Sequence, residues 1–117
     1  MNNINKWLEQ FTSAWKNHNI DNVLSLFTQN VEYWETPFIK IRNLTSLRKE
    51  WEYINSQRNI DISCEVFSKI DNKYTVKWSL GYLNKDNIIK NSRGVYLITL
   101  NQNNLCTYFF HCGEFEK

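Results

Sequence analysis

A chain of 117 residues carrying 14 Lys and Arg against 12 Asp and Glu has a formal net charge of +2, with its cations scattered. Only Arg48 and Lys49 form a basic step in the central segment, and Glu50 and Glu52 follow at once, so the one-sided basic face of a nucleic-acid binder is missing and no nucleic-acid partner is expected. Hydrophobic residues make up 42% and aromatics 15%, with three Gly and one Pro; these proportions exclude collagen-like, linker-like and disordered chains and predict one compact domain over 1–117.

Trp7, Leu8, Phe11 and Trp15 recur at three- and four-residue spacing, which predicts a helix from Ile4 to Asn17 with Asn2 or Asn3 as its cap. His18, at its end, reads as a residue favoured there by the helix dipole. Ile20, Val23, Leu24 and Phe27 repeat the helical spacing, with Asn19 as N-cap and Asp21 in the first turn. Val31 to Glu35 alternates and then meets Thr36-Pro37, which predicts a brief strand whose exit is set by the proline. A third helix follows with Leu44, Leu47, Trp51 and Ile54 on its apolar stripe and Asn43 or Thr45 as cap. From Arg58 the period changes to two. Ile60, Ile62 and Cys64, and then Tyr74, Val76, Trp78, Leu80 and Tyr82, alternate with polar or small residues, as half-buried antiparallel strands do. Asp71-Asn72, Asn84 to Asn87 and Asn101 to Asn104 divide four such runs into a meander with tight hairpins. Val95 to Ile98 and Tyr108 to Phe110 are apolar on both faces, so the outer face of that part of the sheet must be covered too. A second copy of the chain, joined near Val95, Leu97 and Phe110 or Phe109, is the expected cover.

No run reaches the roughly 18 apolar residues of a membrane helix, and the opening MNNINKWLEQ lacks the apolar core of a signal peptide, so a cytoplasmic protein with no membrane partner is expected. Cys64, Cys106 and Cys112 then stay reduced, as buried small hydrophobes. Cys106 and Cys112 share a predicted strand, about 20 Å apart at ~3.3 Å per residue, too far for a disulfide or a shared metal. The two histidines have no carboxylate at ligand spacing and no Gly-rich phosphate loop is present, so neither a metal nor a cofactor is expected.

Helix, short helix, a strand ending at a proline, helix and then four antiparallel strands make an α+β order. It resembles the nuclear transport factor 2-like superfamily and, within it, the SnoaL-like domains. The similarity is carried by Trp15 to Asp21, Leu26 to Tyr33, Glu35-Thr36-Pro37-Phe38, Leu47 to Trp51, Tyr74 to Trp78 and Cys106 to Phe109, nearly the whole chain. It implies a cone-shaped roll with three helices packed on the concave face of a bent, mostly antiparallel sheet. Isomerases, dehydratases, polyketide cyclases, epoxide hydrolases, transport factors and association modules share that scaffold, so the resemblance specifies a fold and leaves the activity open.

In such a cone the space between the helices and the concave sheet face is typically a pocket. The strand parity turns Trp78 and Tyr82 inward, and with Phe11, Trp15, Tyr33, Trp51 and Tyr96 they are the candidate lining for a small hydrophobic molecule; the same rings could equally fill a solid core. Glu35, two residues before Pro37, is the first candidate for acid-base chemistry. The resemblance places it close to the general-base carboxylate of the steroid isomerases, and desolvation among aromatics would raise its pKa, whereas an exposed glutamate paired with a lysine is the plain alternative. Those isomerases use a tyrosine hydroxyl from helix one; Phe11 stands at that position and has no donor. His111 is the second candidate, where cyclase-like relatives carry an acid or base; a structural histidine at a dimer seam is the alternative. Phe109 shares its face with His111, and Phe110 shares the other with Cys112. Three functions stay open: a pocket protein of unresolved activity, a cofactor-independent isomerase, cyclase, dehydratase or hydrolase using Glu35 and His111, and a non-catalytic dimeric association module.

Overall fold

The computed structural model describes residues 3–117 as α1 (Ile4–Lys16), α2 (Ile20–Leu24), β1 (Phe27–Thr36), β2 (Ile39–Ile41), α3 (Leu44–Trp51), a 3-10 helix (Glu52–Ser56), β3 (Arg58–Ile70), β4 (Lys73–Leu83), β5 (Ile89–Leu100) and β6 (Cys106–Phe115). Asn3 caps α1, its side-chain oxygen accepting from the Lys6 N–H at 3.0 Å; Asn2, the alternative cap, lies outside the described residues. Asn3 is also clasped to the β5–β6 hairpin. Its N–H donates to Asn104 Oδ1 at 2.6 Å, and Asn104 Nδ2 donates back to the Asn3 carbonyl at 3.1 Å. Asn19 and Asn43 cap α2 and α3 in the same way, through the N–H groups of Asn22 and Ser46, so Asn43 rather than Thr45 starts α3.

Two boundaries differ from the sequence reading. Phe27 continues the helical spacing of α2 but opens β1, because the Leu26 carbonyl already accepts the Cys106 N–H at 2.8 Å and draws the backbone into the sheet. Ile54 lies on the 3-10 helix beyond α3, still fully buried. The three-residue β2 has no counterpart in the sequence reading, since Ile39 and Lys40 are exposed and only Ile41 is buried.

The six strands form one open sheet in the order β2-β1-β6-β5-β4-β3, antiparallel throughout except for the parallel pair β1–β6. β6 therefore sits in the middle and joins the β1–β2 arm to the meander. The hairpin sites are those the Asn and Asp clusters mark, and Asp71, Asn87 and Asn104 each take a left-handed φ of 56°, 61° and 62°, which these side chains tolerate better than most.

The helices cover the concave face, where the core is a chain of aromatic contacts: Trp7 stacks on Phe11 at 5.1 Å, Trp15 meets Trp51 edge-on at 4.9 Å, and Tyr33 stacks on Phe109 at 4.9 Å. Gly94 and Gly113 face each other across β5 and β6 beneath the Trp78 ring, and a Cβ on Gly113 would stand 2.4 Å from that indole. This close approach leaves room for glycine only. On the convex face, Val95, Leu97, Phe110 and Cys112 point outward, with Leu97 38% exposed; Phe109 belongs to the inner core, so of the two phenylalanines offered for the outer face only Phe110 is there. Cys112 is exposed rather than buried, because its strand position turns it away from the helices. Among the described residues no helix is long and apolar enough to cross a membrane.

Candidate functional site

The open end of the cone holds a cleft of about 480 Å³. Its floor is the inner face of the sheet, with Trp78, Leu80 and Tyr82 from β4, Ser92 from β5 and His111 from β6. Glu35 at the end of β1, Trp15 from α1, Tyr53 from the 3-10 helix and Gln57 just beyond it line the rest of the cleft. Lys49, Glu50, Glu114 and Phe115 stand at the cleft as well.

Of the residues proposed from sequence, Trp15, Glu35, Trp78, Tyr82 and His111 line this cleft. Phe11, Tyr33, Trp51 and Tyr96 do not. Each is at most 3% exposed, and they lie one layer deeper, where Phe11 meets Trp51 and Tyr96 edge-on. Alternation shows that a side chain faces inward, but depth along the cone decides whether it fills core or borders space. The rings named from sequence are therefore divided between core and cleft, at different depths.

Tyr53 and Gln57 were not singled out by the sequence. Gln57 is 2% exposed and is held from two sides: its Oε1 accepts the Trp15 indole N–H at 2.8 Å, and its carbonyl accepts Nε2–H of His18 at 2.7 Å. A buried tryptophan on α1 needs an acceptor, and that requirement is the one signal that could have pointed to Gln57. His18 in turn lies beyond the end of α1 in a left-handed turn, φ 55°, and its role is this tether rather than a dipole contact.

Glu35 is half-buried, and its carboxylate has neither a salt bridge nor a hydrogen-bond donor among the described residues. The lysine pairing expected of an ordinary surface glutamate is not formed. Desolvation, with the negative charge of Glu50 nearby, pushes its pKa up to about 7. The buried phenols of Tyr33 and Tyr96 are held far above their ordinary value by burial first, with a smaller push from Glu35, so both remain protonated.

His111 faces inward beside Phe109 and stacks on Trp78 at 5.2 Å. Its Nδ1 lies 2.7 Å from the Glu35 carbonyl oxygen. The two candidate residues are thus brought together, by a hydrogen bond between one side chain and the other's backbone. Burial lowers the imidazole pKa, opposed in part by that bond. Near neutral pH the cleft therefore contains a neutral imidazole and a carboxyl close to half-protonated, a combination able to give and take a proton. No group of three or more His, Cys, Asp or Glu among the described residues is placed to hold a metal ion.

Solved structures superpose on this arrangement of helices over a bent sheet. A Δ5-3-ketosteroid isomerase from Mycobacterium sp. superposes with a TM-score of 0.79 at 12% identity, over 95% of this chain and 96% of that one. The chain has the nuclear transport factor 2-like fold. Two further structures with that fold are similar: a putative polyketide cyclase from Silicibacter sp. TM1040 (TM-score 0.76, 8% identity, 96% and 88% covered) and a Mycobacterium tuberculosis protein in complex with estradiol-17β-hemisuccinate (TM-score 0.74, 15% identity, 89% and 88% covered). No family model matches the chain, and no curated protein matches its sequence.

Proposed function

We propose that the cleft binds a small, flat, largely apolar molecule. The observation that carries this reading is an open space of about 480 Å³ bordered by the rings of Trp15, Tyr53, Trp78 and Tyr82, with Glu35, Gln57 and His111 as polar groups beside them. That volume falls in the range of small-molecule sites, and aromatic walls favour a planar guest. The isomerase and the estradiol-derivative complex among the similar structures support the same class of ligand. Equilibrium dialysis against a panel of steroids and bicyclic arenes tests it. Saturable binding that Leu80→Trp abolishes by filling the space is expected; the absence of saturable binding, or binding indifferent to Leu80→Trp, contradicts it.

A second reading, a cofactor-independent enzyme that moves a proton on its ligand, is favoured by the carboxyl of Glu35, unpaired and titrating at about 7. It requires deuterium from solvent to enter a bound ketone at the carbon next to the carbonyl, with a rate inflecting near pH 7 and lost in Glu35→Gln. We also assign the convex face to a second copy of the chain, on a stripe formed by exposed Leu97 and half-buried Phe110 and Trp34 across three neighbouring strands.

A further inference from the structure

We infer that His111 is the hydrogen-bond acceptor of the cleft, taking the proton of a hydroxyl or N–H on a neutral ligand, so that the site prefers phenols, enols and alcohols over ethers of the same shape. The inference rests on the cleft-binding reading above. The group 2.7 Å from Nδ1 is a backbone carbonyl, which can only accept, so Nδ1 carries the hydrogen. A neutral imidazole with its hydrogen on Nδ1 has a bare lone pair on Nε2. Nε2 has no hydrogen-bond partner among the described residues, and His111 borders the cleft.

The ring cannot easily exchange these roles. Its plane is stacked on Trp78 and tilted against Tyr96 at 5.8 Å, and a flip would take the donor away from the Glu35 carbonyl. Burial keeps the ring neutral, so the lone pair persists at physiological pH. Glu35 from β1, Lys49 and Glu50 from α3, Tyr53 from the 3-10 helix, Tyr82 from β4 and Glu114 from β6 are the titratable groups around the cleft, and none of them donates to Nε2. The indole N–H of Trp78 is fully buried without a partner, out of reach of a guest. Three carboxyl groups against one lysine also disfavour an anion, which is why the expected ligand is a neutral donor.

The test uses 2-naphthol and 2-methoxynaphthalene, which differ in the donor hydrogen and share the ring and the oxygen acceptor. Calorimetric titration of the whole chain at pH 7.5 is expected to give about tenfold tighter binding of the naphthol, a discrimination that falls to within about twofold in His111→Phe and survives in Glu35→Gln. Equal affinities for the unaltered chain, or a preference retained in His111→Phe, overturn the inference while leaving the cleft reading intact. A preference lost in Glu35→Gln and kept in His111→Phe assigns the acceptor to Glu35 instead. If neither compound binds, the cleft reading itself fails for guests of this size, and the inference with it. Should His111→Phe not fold, ¹⁵N spectra of the unaltered chain decide: Nδ1 must be protonated and Nε2 bare, and Nε2 must shift upfield with 2-naphthol and stay in place with 2-methoxynaphthalene.

Discussion

Glu35→Gln is expected to stabilise the folded chain in alkaline solution and to leave it unchanged in acid. The Glu35 carboxyl titrates at about 7 in the folded chain, against an ordinary value of 4.5, because the cleft strips its hydration and Glu50 repels its charge. Between those two values the folded chain holds a proton that the unfolded chain has released, so stability falls as pH rises through this window. Below it both states are protonated and no penalty exists; above it the penalty is complete. A shift from 4.5 to about 7 corresponds to about 3–4 kcal/mol, at ~1.4 kcal/mol per pH unit. The amide avoids the penalty, and for a chain of this length the gain amounts to roughly 10 °C in Tm. Melting curves of both proteins from pH 4 to pH 9, plotted as the difference in Tm, isolate the effect, because contributions common to both cancel. The difference should open between pH 4.5 and 7 and then level off. A flat difference, or one that widens toward acid, would refute the assignment of Glu35 to a desolvated, unpaired site.

Gly113→Ala places a methyl group against the Trp78 indole and should cost about 1–3 kcal/mol, read from the urea midpoint, with a change in near-ultraviolet circular dichroism as the ring is displaced. Gln57→Leu leaves the buried Trp15 N–H without its acceptor and should cost about 1–3 kcal/mol; an unchanged urea midpoint would mean that the indole finds another partner. Leu97→Lys puts a charge on the convex stripe, beside Phe110. Light scattering should return twice 14.1 kDa for the unaltered chain and 14.1 kDa for the variant, and a monomer in both cases removes the pairing of copies.

The meander was legible because its punctuation is chemical: Asp71, Asn87 and Asn104 are residues that tolerate a left-handed backbone, and the run from Tyr74 to Tyr82 alternates cleanly. The sequence could not place Phe27, whose spacing from Val23 and Leu24 is helical while its backbone is recruited by Cys106, 79 positions further along. Propensity over five residues is weak against such a pairing. The parallel register of β1 with β6 leaves no mark in the alternation of either strand. Glu35 and His111 could be singled out as ionisable side chains amid apolar neighbours, and the structure brings them together, but the bond between them runs through a backbone carbonyl that every residue possesses. The aromatic set divided into core and cleft for a related reason. Trp51 and Trp78 are equally apolar in sequence, and only their distance from the mouth of the cone separates a filler from a wall.

The central position of β6 bears on how the chain is made. Synthesis delivers the β1–β2 arm and the helices first and the three-stranded meander next, and these two pieces present unpaired edges to the medium until β6 emerges to bridge them. The Asn3–Asn104 clasp, which spans 101 positions, likewise has to wait for the hairpin that precedes β6. A nascent chain halted before Cys106 is therefore a pair of open half-sheets, and its exposure to aggregation should be greatest during translation of the final strand.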